Sequence, residues 1–254
     1  MKVVDQHAWD LQEAIGALHD PEAWMQSCEW LRIVAGLRDV ACDSRHDRLF
    51  GYCETADAWN DQTDRVRSRY LLHGTRLLFA CGALEAAARS EVGPKSIKKK
   101  GIVKAIGSAL DGGGVAIPPG YLEVAWHIAV SGSHDARFRE RTKQAGHISL
   151  RAAGAFLAYE VRNRLAHGTL YLVDAWDDDD GRVDHEVHFV DLATRAILLT
   201  LQMLAVARLK DPHARVDEDD VGWTAAETAV SRADFLREIH TDPRTQSQTG
   251  GRSR

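Results

Sequence analysis

The sequence predicts a mainly α-helical fold, because three long segments repeat apolar residues at the spacing of one helix face. These segments cover about 64–91, 149–166 and 192–209. Between the second and third segments, two shorter stretches partly alternate apolar and polar residues, which predicts one small β-hairpin lying on the helical body. Its strands would be 169–176 and 182–190, joined by an acidic turn.

Residues 1–60 are predicted to form an N-terminal helical extension. Ile15 and Leu18 belong to a first set of apolar residues at helical spacing. Asp20 and Pro21 then begin a second helix, because proline is favoured in the first turn of a helix.

The main helical domain is predicted over 62–210, and its first long helix ends before Gly93 and Pro94. The densest basic run of the chain follows. Such a run is either a solvated loop or a patch that attracts phosphate groups, and the sequence leaves both interpretations open. Its members are Lys95, Lys98, Lys99 and Lys100, with Lys104 just beyond.

Two segments follow the main domain. The stretch 211–240 is acidic at first and then weakly helical, so it is predicted to be a C-terminal helical segment. The polar stretch 241–254 is predicted to be a disordered tail, because it has too few apolar residues to pack into a core.

Composition is that of an ordinary globular protein, with 44% hydrophobic and 27% charged residues among 254. The net charge is −5, so RNA binding would need a local basic patch. No apolar run approaches the length of a membrane span, so no membrane partner is expected. The first twenty residues lack the apolar stretch of a signal peptide, which makes the cytoplasm the expected location.

The cysteines and histidines show no metal-binding spacing. No C-x-x-C or H-E-x-x-H pattern occurs, so neither a metal site nor a cofactor is expected. The cysteines are interpreted as reduced thiols, mostly in the core: Cys28, Cys42, Cys53 and Cys81.

The most informative segment is Arg162-Asn163-Arg164-Leu165-Ala166-His167, at the end of the second long helix and directly before Gly168. A guanidinium can hold phosphate oxygens bidentately, and an imidazole can move a proton near neutral pH. Together these two groups can perform metal-free phosphodiester chemistry.

The spacing alone is weak evidence, since other arginine–histidine pairs are as close or one residue wider. Arg162 and His167 differ from them because they end a long apolar-periodic helix, which a glycine then stops. The rival pairs are Arg208 with His213, Arg67 with His73, Arg141 with His147, and Arg182 with His188.

On an ideal helix, side chains five positions apart point about 140° away from each other. The helix must therefore loosen at His167, or two chains must each contribute groups to one site. Asn163 and His167 share a face, so Asn163 could orient the imidazole or contact phosphate. The plainer alternative is that Arg162 and His167 only cap the helix and pair with acids such as Glu160.

The segment 159–168 resembles the signature of HEPN domains, which is an arginine, four to six residues and a histidine, often with asparagine after the arginine. The helix around 76–86 resembles the first long helix of that family, and 192–209 lies where a closing helix is expected. The resemblance covers about 62–210.

This resemblance implies an antiparallel helical bundle that forms a homodimer and cuts RNA without metal. Arg162 would bind the scissile phosphate, and His167 would act as general acid or base while the ribose 2′-hydroxyl attacks phosphorus. Asn163 would support the cleft, with Glu85 and Glu160 as weaker supporting candidates. Products would carry a 2′,3′-cyclic phosphate and a 5′-hydroxyl, and the lysine run would bind RNA.

Such nucleases act in bacterial toxin or antiphage systems, where an antitoxin or regulatory protein is a further expected partner. Members silenced by a nucleotidyltransferase often carry tyrosine two residues after the histidine. Here Thr169 stands at that position and Tyr171 follows two residues later, which puts control by tyrosine modification in doubt.

Two other functions remain open from the sequence. The first is a non-catalytic HEPN-like binding or regulatory dimer, which the overall acidic charge slightly favours. The second is a helical protein that binds a small nucleotide through Arg162 and the lysine run.

Overall fold

The computed structural model describes residues 1–43, 53–145, 147–168, 170, 172–178, 181–216 and 230–241. The described chain is mainly α-helical, which confirms the predicted class. Its helices are α1 (Val4–Leu18), α2 (Pro21–Gly36), α3 (Glu54–Glu91), α4 (Pro94–Lys100), α5 (Ile102–Gly112), α6 (Tyr121–Ser131), α7 (Ala136–Ala145), α8 (Leu150–Ala166), α9 (Arg182–Ala207) and α10 (Arg232–Glu238).

Helix α9 is the centre of the fold. Both α3 and α8 pack on it, and α6 covers it further. From Leu192 to Ala205 residues around its whole circumference are buried, as the continuous apolar pattern of 192–209 predicted. By length and composition α9 could cross a membrane, but 83% of its most apolar window is buried inside the fold, as in the core helix of a globular protein.

The N-terminal helices pack directly on the main body. The Ser27 hydroxyl of α2 donates to the Ala83 carbonyl of α3 at 2.9 Å. The Trp30 ring stacks on Phe79 and lies over Gly82, where a Cβ atom would come within 3.3 Å of the indole. Helix α3 starts at Glu54 rather than near residue 64, so the boundary predicted between 60 and 62 falls inside a helix.

A buried polar chain joins the two ends of the described protein. His7 of α1 contacts the Gln202 side-chain oxygen at 2.9 Å, and the amide nitrogen of Gln202 lies 3.1 Å from Nδ1 of His240. His240 in turn contacts the Pro119 carbonyl at 2.9 Å. The segment after α9 is thereby held against α1 and α9, with α10 as the helix predicted within 211–240.

The predicted β-hairpin is wrong. Within the described ranges no strand forms, and residues 182–190 are the first turns of α9. Val183, Val187 and Val190 are all buried and recur at four and three positions, which is helical spacing. Ahead of α9, Ala175–Asp177 forms a single turn of 3₁₀ helix, and Gly181 begins α9 at a positive φ of 74°.

Other predicted features differ in detail. Of the two interpretations left open for the lysine run, the solvated loop does not hold, because Lys95–Lys100 lie on the short helix α4 and Lys104 lies on α5. The predicted disordered tail lies outside the described residues, apart from Thr241. Thr169 and Tyr171, the positions considered for tyrosine control, also lie outside them.

Candidate functional site

Helix α8 carries the Arg162–His167 motif and is fixed at its start by Tyr121 of α6. The Tyr121 hydroxyl donates to the Arg151 carbonyl at 2.9 Å and accepts from the Gly154 N–H at 3.0 Å. Gly154 leaves room for this ring, because a Cβ there would lie 3.0 Å from it. Gly154 therefore allows a close crossing of α6 and α8.

The motif end of α8 lies against α3, and the two helices run antiparallel. Leu165 packs on Gly74, where an added Cβ would come within 2.9 Å of its side chain. One turn and a half earlier on α8, the Tyr159 hydroxyl reaches Glu85 at 3.4 Å. The residue numbers of the contacts fall on α8, from 165 to 159, while they rise on α3, from 74 to 85, so the two helices are antiparallel.

His167 stands just beyond the last helical residue. Helix α8 ends at Ala166, the His167 N–H donates to the Asn163 carbonyl at 2.9 Å, and Gly168 takes a φ of 62°. This glycine stop is the one predicted from the sequence. The His167 side chain is exposed and makes no hydrogen bond or ion pair with another described residue.

Arg162 is half-buried between α8 and α3. Its Nη1 donates to the Asn163 side-chain oxygen at 3.1 Å, while its Nε is buried with no hydrogen-bond partner among the described residues. Its charge reaches Cys81 and Tyr159. Burial raises the pKa of the Tyr159 hydroxyl well above its usual value, Cys81 and Glu85 raise it further, and Arg162 opposes them.

Arg162 and His167 are not brought into contact within one chain. Arg162 faces α3, whereas His167 lies at the solvent-exposed end of α8. The sequence left two possibilities, a helix that loosens at His167 or a site shared between two chains. The backbone at His167 does leave the helical conformation. Asn163 is exposed and links the two positions, through its side chain to Arg162 and through its carbonyl to the His167 N–H.

The capping interpretation fits Arg164 instead of Arg162. Arg164 binds Asp135 through two nitrogens, at 2.9 and 3.1 Å, and Glu160 at 3.1 Å. Its guanidinium also lies over the Phe138 ring, 5.2 Å from the centroid. Arg164 thereby holds the pKa of the Asp135 carboxyl at about 2, below its ordinary value of 3.8. This arginine anchors α7 to α8 beside the motif.

The two supporting acids take different roles. Glu160 pairs with Arg164 and, at 3.2 Å, with Arg141, so it belongs to the α7 anchor and leaves Arg162 without an acidic partner there. Glu85 faces Tyr159 on the α3 side and also pairs with Arg89 at 3.3 Å. Of the two acids, Glu85 is the one whose charge lies on the same side as Arg162.

The lysines predicted to bind RNA form an exposed basic patch, which we call the lysine patch. It lies on α4 and the first turn of α5, beyond the end of α3, and none of its members forms an ion pair with a described residue. From Cys81, beside Arg162, to the end of α3 the helix rises roughly 15 Å. The patch consists of Lys95, Lys98, Lys99, Lys100 and Lys104.

No cluster of three or more metal-ligating side chains occurs in the described part of the chain. The ion pair between Arg164 and Asp135 was not predictable from the sequence, because the two residues are 29 positions apart and belong to no local motif. Comparison with protein-family models, with curated proteins and with solved structures finds no match to this chain.

Proposed function

We propose that the chain is a metal-independent endoribonuclease of the HEPN type that acts as a homodimer in a toxin or antiphage system. The observation that carries this proposal is Arg162. It is a half-buried guanidinium with an unpartnered Nε, on the last turns of a helix that ends at an exposed histidine, in a motif whose other arginine is fully engaged by acids. A phosphate group bound at the exposed part of this guanidinium would supply the negative charge that Arg162 lacks.

The reaction would be an internal transesterification. The ribose 2′-oxygen attacks the adjacent phosphorus, the bond from phosphorus to the 5′-oxygen breaks, and a 2′,3′-cyclic phosphate remains. Arg162 would stabilise the charge that develops on the phosphate oxygens. His167 would take the 2′-hydroxyl proton or give a proton to the departing 5′-oxygen. The lysine patch would hold RNA outside the cleavage site.

A homodimer could bring together Arg162 and His167, which are apart within one chain. Because Arg162 and His167 face different directions, each centre would take Arg162 from one chain and His167 from its partner, across a twofold axis. The exposed end of α8 is accessible for such a pairing.

The first test is RNA cleavage in EDTA by wild type, Arg162→Ala and His167→Ala. Each substitution should lower cleavage by about 100-fold or more, because transition-state charge stabilisation by Arg162 and general acid–base catalysis by His167 each contribute on that scale. His213→Ala is the matched control, since His213 is exposed and lies five positions after Arg208. Equal cleavage by His167→Ala and His213→Ala would refute the proposal, as would cleavage of an all-deoxy substrate.

The second test asks whether the two residues come from different chains. Arg162→Ala and His167→Ala are mixed under conditions that exchange subunits. A mixed dimer then has one centre with both groups intact, so statistical mixing should restore about a quarter of wild-type activity. No recovery in a preparation shown to contain mixed dimers would contradict the shared site.

The second candidate is a non-catalytic HEPN-like binding dimer. It is favoured by the Arg162–Asn163 contact, which engages the guanidinium within its own helix. Under this alternative, RNA would bind through the lysine patch and remain intact. Salt-dependent binding that Arg162→Ala leaves unchanged, without cleavage by wild type, would support it over the nuclease.

A further inference from the structure

A cleft of about 670 Å³ lies where α1, α3 and α9 meet, and the proposed nuclease chemistry does not use it. This volume lies within the range of small-molecule sites. Arg69, His73 and Arg76 line it from α3, at spacings of four and three that place them on one face. Asp184, His188, Asp191 and Arg195 face them from α9.

Asp191 organises the floor of this cleft. One carboxylate oxygen lies 3.4 Å from His73 Nδ1, and the other accepts from Arg195 Nε at 2.8 Å. Burial alone would raise the pKa of Asp191, but the hydrogen bond from His73 and the charge of Arg195 lower it below its usual value. The ionised carboxylate therefore fixes the orientation of His73, whose Nε2 has no described partner.

Arg76 provides a buried donor without an acceptor. Its Nη2 donates to the Leu37 carbonyl at 2.7 Å, whereas its Nε is buried and unpartnered among the described residues. The nearest acid, Asp5, is 3.8 Å away and pairs more closely with Arg38, at 2.6 Å. The charge of Arg76 is therefore incompletely neutralised, and this positive charge favours an anion in the cleft.

Arg69 is free to change partners. It pairs with Asp184 at 2.7 Å, but the two side chains are 53% and 72% exposed, and exposed ion pairs of this kind contribute little stability. A guanidinium in such a pair can turn to bind a phosphate bidentately. Since no Trp, Tyr or Phe lines the described cleft, recognition would come from charge and hydrogen bonds instead of base stacking.

We propose that this α1–α3–α9 cleft binds a phosphorylated small molecule, with its phosphate group held by Arg69, Arg76 and His73. The site is distinct from Arg162 and His167. Helix α3 forms one wall of the cleft and also contacts the motif helix through Gly74, the residue next to His73.

Calorimetric titration of the full chain tests this proposal with four probes: adenosine 5′-monophosphate, ribose 5-phosphate, adenosine and inorganic phosphate. The two phosphate esters should bind with similar affinities, and adenosine should not bind. Arg69→Ala should weaken binding by about tenfold or more, as expected for loss of a charge-assisted contact. His73→Gln, which keeps a hydrogen-bond donor toward Asp191, should also weaken it.

Arg32→Ala is the matched control, because Arg32 is a similarly exposed arginine paired with Glu29 on a different helix. It should bind the phosphate esters as wild type does. Three results would each overturn the proposal. Adenosine could bind as tightly as its monophosphate, inorganic phosphate could bind while neither ester does, or Arg69→Ala and Arg32→Ala could bind the esters with equal affinities. Arg162→Ala should bind the phosphate esters with wild-type affinity, because Arg162 lies outside this cleft. The binding test can therefore succeed or fail independently of the nuclease test.

Discussion

Replacing Tyr121 with phenylalanine tests how the start of the motif helix is held. The hydroxyl of Tyr121 is buried, donates to the Arg151 carbonyl and accepts from the Gly154 N–H, with Thr200 Oγ1 a further 3.3 Å neighbour. The substitution removes the hydrogen bonds to the Arg151 carbonyl and from the Gly154 N–H, each worth roughly 0.5–1.5 kcal/mol. These two buried backbone groups then lose the Tyr121 hydroxyl and have no water to replace it. The free energy of unfolding should therefore fall by about 1–3 kcal/mol.

Tyr70→Phe is the matched control for Tyr121→Phe. Tyr70 is equally buried, but its hydroxyl has no hydrogen-bond partner among the described residues. Removing an unpaired buried hydroxyl should be neutral or stabilising, because the cost of keeping it from water disappears.

Denaturant unfolding and thermal unfolding, both followed by circular dichroism, measure the two variants. A domain of this size loses about 2–4 °C in Tm for each kcal/mol, so Tyr121→Phe should melt several degrees lower than Tyr70→Phe. Equal losses in the two variants would refute the claim that hydrogen bonds, and not ring packing, fix this end of α8.

Two further predictions concern acid and packing. Burial lowers the pKa of His7 to about 3, so the unfolded chain binds a proton below pH 6.5 while the folded chain does not. Stability should fall as pH drops from 6.5 toward 3, with a smaller slope in His7→Gln; identical slopes in denaturant titrations would contradict this. Gly132→Ala should lower the unfolding free energy by about 1–3 kcal/mol, since its Cβ would clash with the Phe138 ring. Gly112→Ala, with open space around its Cβ, should cost nothing, and a similar loss there would rule out the steric explanation.

The long helices were predictable because their signals are local. Helix α8 has a serine at its start and a glycine directly after His167, and both act through neighbouring backbone groups. The core helix α9 was predictable in its second half, where apolar residues are continuous. Its first half was mistaken for a strand because a stretch of nine residues with few apolar positions fits both periods.

The pairings that shape the site were not predictable in the same way. Arg164 meets Asp135 only because α7 folds back on α8, and His73 meets Asp191 only because α3 crosses α9. Such contacts depend on how helices pack, which a single sequence does not encode locally. The sequence could name Arg162 as a candidate, but it could not tell which arginine of the motif Glu160 would neutralise.

Packing also separates Arg162 from the other arginines that have a histidine five or six positions later. Each rival guanidinium binds an acid or a carbonyl outside its own helix: Arg67 binds the Val173 carbonyl, Arg141 binds Glu160, Arg182 binds Asp177, and Arg208 binds Glu91. Within the described chain, Arg162 hydrogen-bonds only to its neighbour Asn163 and keeps a buried Nε unpaired.

An arginine held this way is costly, because a partly buried charge without a direct ion pair loses hydration and gains little in return. The arginine two residues later shows that this fold can supply acids at the same helix end. Arg162 is left without one, while the exposed His167 stands near the same terminus. This difference supports an anion from outside the chain as the partner of Arg162, and a phosphodiester is the anion on which both groups could act.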